Sequence, residues 1–119
     1  MSTPRPRLVG RPSKFDYSRV TVTFDSGGDA CTGWLYRPDR PADAPVVVMA
    51  GGLALPRTVL EPIAERFAEA GYAAFVFDYR GIGDSDGDPR GLLAPARGVT
   101  DWEEAIARVR ELDGIDTRR

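Results

Sequence analysis

Two short runs in this chain are apolar at every position. The first covers residues 45–50 (PVVVMA) and the second covers residues 72–77 (YAAFVF). A strand without polar positions must be covered on both of its faces, as happens in a parallel sheet that is sandwiched by helices. The two runs therefore predict an α/β fold in which both strands lie in one sheet.

Between the two runs, apolar residues recur at helical spacing: Leu60, Ile63, Ala64, Phe67 and Ala68. The pattern predicts a helix that starts between Thr58 and Glu61, with Pro62 in the first turn, where a missing N–H costs least. Gly71 follows as the stop signal of this helix. Strand, helix and strand in this order predict a right-handed βαβ unit.

A hairpin is predicted before the first apolar run. Val20, Val22 and Phe24 alternate with polar residues, which is the pattern of a half-buried strand. The glycine-containing stretch 25–29 turns the chain, and an extended pattern resumes over residues 31–36. We expect residues 1–17 to form a flexible arm and residues 18–119 to form one domain.

A second helix is predicted near the end of the chain. Thr100 and Glu103 form a capping-box pattern, and Glu104 and Arg108 stand one turn apart on the polar side. The apolar stripe of this helix, which ends at Gly114, consists of Trp102, Ala105, Ile106, Val109 and Leu112. We interpret the stripe as a face packed on the sheet.

Composition excludes several classes of function. The net charge is −2 and the cations are scattered, so no field draws nucleic acid or an anionic membrane. No apolar segment is long enough for a secretory signal or a membrane span, and a cytoplasmic protein is expected. The single cysteine, Cys31, excludes an internal disulfide and a multi-cysteine metal site. Without a neighbouring base, Cys31 is interpreted as a packed structural residue rather than a nucleophile.

Residues 83–87 satisfy the letter pattern Gly-x-Ser-x-Gly of a nucleophile elbow, with Ser85 at the centre. An elbow requires a buried strand directly before it and a helix directly after it. Residues 79–83 separate Asp84 from Asp78 at the end of the preceding strand, and Asp88-Pro89 follows where a helix should begin. Flanking aspartates also oppose an alkoxide at Ser85. We therefore predict that Ser85 is not catalytic.

Two other motifs in the same loop are incomplete. Asp84, Asp86 and Asp88 alternate as in an EF-hand, but prolines stand where that loop needs glycine and glutamate. The stretch 81–83 (GIG) lacks the third glycine and the helix of a dinucleotide-binding fingerprint. We expect no metal and no organic cofactor, and we interpret the loop as a solvated polar turn.

The order of these elements, the stretch 78–87 (DYRGIGDSDG) and a helix that opens with Asp101-Trp102 together resemble the N-terminal half of an α/β-hydrolase. The similarity is strongest to esterase and peptidase-like members of the superfamily. It implies that the loop 50–53 (AGGL) matches the oxyanion loop, with Gly52 and Leu53 as the oxyanion-hole residues and the Leu53 N–H as donor.

The chain contains no histidine, the base that takes the nucleophile's proton in this fold. The resemblance places the nucleophile strand after residues 114–119. We therefore expect the N-terminal portion of a serine hydrolase that acts on a carboxylic ester or amide. This portion supplies the oxyanion loop, contains no catalytic residue, is inactive alone and meets a small acyl substrate only when completed. The alternative is a non-catalytic α/β binding or interaction module.

In the strand order that the resemblance implies, the strand at 45–50 lies between the strand at 72–77 and the fifth strand. Without that fifth strand, the run 45–50 is an apolar edge that carries no lysine and no inward charge. Such an edge is a template for pairing with another strand. We expect self-association or a complementing segment at this edge.

Overall fold

The computed structural model describes residues 14–51, 56–88, 90 and 95–117. The described residues form four strands, a short 3-10 helix and two α-helices. In chain order these are β1 (Tyr17–Ser26), β2 (Asp29–Pro38), β3 (Val46–Ala50), the 3-10 helix (Arg57–Leu60), α1 (Glu61–Glu69), β4 (Ala73–Phe77) and α2 (Pro95–Val109).

The four strands form one mixed sheet in the order β1-β2-β4-β3. β1 pairs antiparallel with β2, and β2 pairs antiparallel with β4. β3 and β4 are parallel, and α1 connects them along the chain. The structure therefore confirms the predicted α/β class, the hairpin and the parallel pair of apolar strands.

The β1–β2 hairpin closes at Gly27 and Gly28, whose φ angles are 59° and 90°. Both angles lie in the left-handed region that glycine enters without a Cβ clash, so the chain reverses within two residues. At the other end of the hairpin, Tyr17 is the first residue of β1, although the sequence pattern assigned it to the arm. The Phe15 N–H also donates to the Glu69 carbonyl, at 2.9 Å.

The core lies on both faces of the sheet. On one face, Phe75 and Phe77 of β4 pack with Ala105 and Val109 of α2. On the other face, α1 contributes Ala64 and Ala68, which pack with Tyr36, Ala74 and Val76. β4 is buried at all five positions, whereas β3 is only partly buried at each of its five positions. The prediction that both faces are covered is thus fully met for β4 alone.

α2 begins five residues earlier than the sequence pattern indicated, at Pro95 rather than at Thr100. Thr100 lies inside the helix, where its hydroxyl donates to the Ala96 carbonyl at 3.3 Å. The capping-box prediction was therefore wrong, because proline already has the φ that a first helical turn needs. Glu104 and Arg108 do stand one turn apart in α2, but the ion pair found for Arg108 is not with Glu104. Arg108 instead donates to the Thr23 carbonyl and to Glu111.

Near the end of the described chain, Ile115 pairs in parallel with Ala44, just before β3. The Ala44 N–H donates to the Gly114 carbonyl and the Asp116 N–H donates to the Ala44 carbonyl, each at 2.8 Å. Successive carbonyl groups of an extended chain point to opposite sides. The carbonyl of Pro45, the residue after Ala44, accepts from the Ala73 N–H of β4. The contact with Ile115 therefore lies on the side of β3 that faces away from β4.

Candidate functional site

The candidate site lies where the parallel strands β3 and β4 end. Ala50 of β3 and Phe77 of β4 are paired in register, so Gly51 and Asp78 both leave the sheet at this edge. In open α/β sheets, ligands bind outside the carboxyl ends of the parallel strands. The predicted oxyanion-hole residues, Gly52 and Leu53, lie outside the described residues.

Asp78 and Arg57 form a buried ion pair at this edge. The Asp78 side chain is 0% exposed and the Arg57 side chain is 6% exposed. Arg57 donates twice to this carboxylate: its backbone N–H reaches Oδ1 at 2.6 Å, and its Nη1 reaches Oδ2. The pair thus fixes both the backbone and the side chain of the first residue of the 3-10 helix.

The same carboxylate also holds the loop that follows β4. The Asp84 N–H donates to Oδ2 of Asp78 at 3.1 Å, and Nη2 of Arg57 pairs with the Asp84 carboxylate at 3.0 Å. The guanidinium of Arg57 lies 4.2 Å from the ring centroid of Trp34, which adds a cation–π contact. We call Arg57, Asp78 and Asp84 the first clamp.

A second buried ion pair, between Arg80 and Asp101, joins the same loop to α2. The Arg80 backbone N–H donates to Oδ2 of Asp101 at 3.0 Å, and Nε donates to Oδ1 at 2.7 Å. The buried hydroxyl of Ser26, at the end of β1, donates to the same Oδ1 at 2.6 Å. We call Ser26, Arg80 and Asp101 the second clamp; it fixes the loop against α2 and the hairpin.

Ser85, the residue at the centre of the Gly-x-Ser-x-Gly letters, is 1% exposed. Its hydroxyl donates to the Asp78 carbonyl at 2.7 Å and accepts from the Thr32 N–H at 2.9 Å. The hydroxyl therefore joins the loop to β2, as does the bond from the Asp86 N–H to the Ala30 carbonyl. The interpretation of this loop as a solvated polar turn holds for its exposed aspartates, Asp84, Asp86 and Asp88. It was wrong for Ile82 and Ser85, which are buried because the loop packs along β2.

Cys31 is fully buried in the core beside this loop. Burial, followed by the negative charge of Asp101, raises the pKa of the Cys31 thiol to about 11. The thiolate is the form that attacks substrates and binds metals, and a thiol with so high a pKa carries almost no thiolate near neutral pH. The side chain therefore acts in packing.

Two negative findings concern only the described part of the chain. Residues 14–51, 56–88, 90 and 95–117 contain no group of three or more His, Cys, Asp or Glu side chains arranged to hold a metal ion. Among the same residues, no helix combines the length and the apolar character that crossing a membrane requires.

Arg57, Asp78 and Asp101 were not identified as site residues from the sequence. Charged residues are seldom fully buried, so sequence patterns favour surface positions for them. One signal was available: Asp78 directly follows a strand in which every residue is apolar. A carboxylate at that position needs buried donors, although its arginine partner, Arg57, lies 21 residues away in the chain.

The chain is similar in sequence to known proteins. It is 48% identical over 101 residues to the quorum-quenching protein AidA of Acinetobacter baumannii (strain MDR-ZJ06), a match that covers 84% of this chain and 33% of AidA. It is 35% identical over 88 residues to the thiohydrolase apmlB of Arthrinium phaeospermum, covering 73% of this chain and 28% of that protein. No protein-family model matches the chain.

The fold is also similar to that of solved structures. The crystal structure of the α/β hydrolase GrgF from Penicillium sp. sh18 matches with a TM-score of 0.69 and 29% identity, covering 79% of this chain and 32% of GrgF. Together with the strand order, these matches show that the chain belongs to the α/β-hydrolase superfamily. The chain spans about a third of the length of the relatives it matches.

Proposed function

We propose that these residues form the part of a serine hydrolase that supplies the oxyanion loop, while the nucleophile, acid and histidine come from outside the 119 residues. The substrate class is a carboxylic ester or amide, and relatives named thiohydrolases add thioesters to the substrates worth testing. The observation that carries the proposal is the sheet order β1-β2-β4-β3 with a buried glycine, Gly51, directly after β3.

The chemistry required of this part is modest. A backbone N–H at Leu53 would donate to the negative oxygen of a tetrahedral intermediate. Acyl transfer also needs an activated nucleophile and a base with a pKa near neutrality. The 119 residues contain no histidine, and the hydroxyl of Ser85 is bonded to backbone on both sides. We therefore propose that the isolated residues do not turn over an acyl substrate.

A complementing strand at the free side of β3 is part of this proposal. The bonds between Ala44 and residues 114–116 support it, because they begin a parallel pairing on that side. Val46, Val48, Ile106, Val109 and Ile115 contribute to a groove of about 180 Å³ beside the same edge. A strand in this place would cover the apolar groove, and without it the edge favours self-association.

The test compares two polypeptides: the 119 residues alone, and the product of any reading frame that continues past Arg119. Each is assayed with a short-chain nitrophenyl ester and a short-chain thioester. We expect turnover only from the longer product, and we expect its Ser85→Ala variant to retain catalysis. Turnover by the 119 residues that disappears in Ser85→Ala would overturn the proposal, as would a longer product that hydrolyses neither substrate.

Association of the 119 residues is measured by light scattering with and without the adjoining segment in trans. Self-associated protein that becomes a defined complex when the segment is added supports the strand-edge proposal. A monodisperse monomer that does not bind the added segment, and whose amides at Val47 and Val48 exchange slowly, contradicts the strand-edge proposal. That outcome favours the alternative of a stand-alone interaction module.

A further inference from the structure

We propose that the outer edge of β1 is a dimerisation surface, on which β1 of a second copy of this chain pairs antiparallel about Val22. β1 is the end strand in the order β1-β2-β4-β3, so one of its edges has no neighbouring strand among the described residues. The inference goes beyond the proposed function, because it concerns the edge opposite to β3 and requires no acyl chemistry.

The hairpin determines which backbone groups of β1 face outward. Its two-residue turn places Ser26 opposite Asp29, and facing residues of an antiparallel pair alternate between hydrogen-bonded and non-hydrogen-bonded positions. The even-numbered residues of β1 therefore bond to β2, and the odd-numbered residues point their N–H and C=O groups outward. The structure agrees, because Thr32, which faces Thr23, accepts from the Asp78 N–H on the far side of β2.

One side chain already binds this outer edge. Nε of Arg108, on α2, donates to the outward carbonyl of Thr23 at 3.1 Å. No backbone group elsewhere in the described residues bonds to the outward groups of Arg19, Thr21 and Asp25. A row of unpaired N–H and C=O groups is a template for a further strand. Pairing would displace only the exposed bond from Arg108, which water can replace.

The polar residues of β1 complement each other in one register. When Val22 of each copy lies on the two-fold axis, Arg19 faces Asp25 of the second copy, and Thr21 faces Thr23. Both pairs consist of odd-numbered residues, so they occupy the hydrogen-bonded positions of the new ladder. Opposite charges and threonine pairs at facing positions stabilise antiparallel strands. Asp25 is exposed and has no ion pair among the described residues, so its carboxylate is available.

The apolar residues of β1 fit the same register. Val20 is 41% exposed, and it lies on the same face of the strand as Phe24. In the proposed pair, Val20 faces Phe24 of the second copy. Phe24 lines a groove of about 540 Å³ between β1 and α2, together with Ala107. Pairing would therefore move Val20 from water to an apolar wall of this groove, which is favourable.

Other registers lack this complementarity. A shift of one residue places inward-facing groups opposite outward-facing ones, so the new ladder cannot form. A shift of two residues keeps the ladder but places Arg19 opposite Thr23 or Gly27 instead of Asp25. The charge pair therefore selects the register that is centred on Val22.

The first test exchanges the charges at the facing positions and measures the Kd of the dimer by sedimentation. The unaltered chain should dimerise with a Kd on the order of 10–100 μM, because a strand edge is a small interface. Asp25→Arg places Arg19 opposite an arginine, and Arg19→Asp places Asp25 opposite an aspartate. Each variant alone should dimerise at least about 10-fold more weakly than the unaltered chain.

Mixing the two charge variants is the decisive measurement. In a heterodimer of Asp25→Arg with Arg19→Asp, every facing position again has opposite charges, so the Kd should return to within about threefold of the unaltered value. Glu103→Arg is the matched control, because Glu103 is exposed on α2 and undergoes the same charge change. Its Kd should equal that of the unaltered chain. Arg19 also pairs with Glu61 at 2.9 Å, so circular dichroism must first show that Arg19→Asp is folded.

The second test concerns the backbone. Thr21→Pro removes an N–H that points outward, so it costs no bond to β2, and proline is tolerated at such a position of an edge strand. The variant should fold and should dimerise at least about 10-fold more weakly than the unaltered chain. In the unaltered chain, the amides of Thr21 and Thr23 should exchange more slowly as the protein concentration rises. The amide of Val22, which is already bonded to β2, should not respond.

A chain that stays monomeric up to about 1 mM would overturn the inference. So would a dimer whose Kd does not change in Asp25→Arg, or charge variants that associate no better when mixed than alone. Where Arg19→Asp or Thr21→Pro does not fold, Asp25→Arg and the exchange of the Thr21 and Thr23 amides still decide. Association through β3 is distinguished because it should be lost when that edge is covered, whereas the β1 dimer should persist. None of these measurements depends on hydrolysis, so their failure differs from failure of the proposed function.

Discussion

The two clamps share the same hydrogen-bond arrangement between an aspartate and an arginine, but they join different parts of the molecule. In each, a buried aspartate accepts from the backbone N–H and the guanidinium of one arginine. The first clamp joins the end of β4 to the start of the 3-10 helix. The second joins the loop after β4 to α2 and the hairpin. The same kind of contact therefore holds the start of the 3-10 helix in one clamp and the loop after β4 in the other, depending on the segment to which the arginine belongs.

The clamps also differ in their third residue. In the second clamp it is the fully buried hydroxyl of Ser26, whereas in the first it is Asp84, whose side chain is 73% exposed. A buried polar group depends on its partner, but an exposed carboxylate can exchange its partner for water. Stability should therefore respond to the third member only in the second clamp.

The largest effect on stability is expected when either aspartate is removed. Asp78→Ala leaves the Arg57 guanidinium buried without its carboxylate, which should lower the free energy of unfolding by about 3–5 kcal/mol. Asp101→Ala should cost a similar amount for the same reason. Urea unfolding of the two variants measures both losses. The double change Arg57→Met with Asp78→Leu should recover part of the loss, and no recovery would contradict the buried-charge explanation.

Gly83→Ala should perturb the first clamp without removing a charge. Gly83 has a φ of +54°, and a Cβ there would stand 2.4 Å from Oδ2 of Asp78. We expect a loss of about 2–4 kcal/mol, of which about 1–2 kcal/mol comes from the left-handed backbone alone. Gly28→Ala is the control, because its φ is +90° and its Cβ would meet nothing within 4 Å. Equal losses in the two variants would show that the contact with Asp78 is unimportant.

The thiol of Cys31 should report on the second clamp through pH. Its pKa is about 11 in the folded chain, raised by burial and then by Asp101, against about 8.5 for a free thiol. A raised pKa favours the folded state below pH 8.5, and this contribution, on the order of 2 kcal/mol, is lost as the pH rises toward 11.

Unfolding at pH 8 and pH 10.5 measures this loss, and a Cys31→Ala variant should show a smaller one. Thiolate absorbance should reveal a lower pKa for Cys31 in Asp101→Asn and no change in Asp78→Asn. An equal shift in both variants would remove the electrostatic distinction between the clamps.

The smallest effects concern the third members. Ser26→Ala removes the buried donor to Asp101 and should cost about 1–2 kcal/mol. Asp84→Ala removes an exposed carboxylate, and its N–H still reaches Asp78, so the cost should stay below about 0.5 kcal/mol. Thermal unfolding of both variants gives the comparison. A larger loss for Asp84→Ala would mean that its ion pair with Arg57 contributes more than its exposure indicates.

Much of the fold follows from local patterns in the sequence. The apolar runs of β3 and β4, the alternation in β1 and the stop at Gly71 each reflect a short-range rule about burial or backbone conformation. The start of α2 was missed because Thr100 offers a capping pattern that competes with the proline five residues earlier. The fixed φ of proline suits a first helical turn, and the helix starts there.

The candidate site is predictable only in part. The resemblance indicated the oxyanion loop by position, and Gly52 and Leu53 lie outside the described residues. The clamps could not be predicted, because each joins residues that are far apart in the chain, such as Ser26 and Asp101. A sequence pattern has a local period, whereas a buried ion pair depends on where the sheet brings its partners.

Each clamp also has its own chromophore. The chain has two tryptophans: the ring of Trp34 lies 4.2 Å from the guanidinium of Arg57, and Trp102, next to Asp101, donates its indole N–H to the Tyr79 hydroxyl at 2.8 Å. A cation over an indole and a hydrogen bond from an indole perturb fluorescence differently. Variants that each keep one tryptophan should therefore show distinguishable fluorescence. The opening of the first clamp can then be timed separately from that of the second.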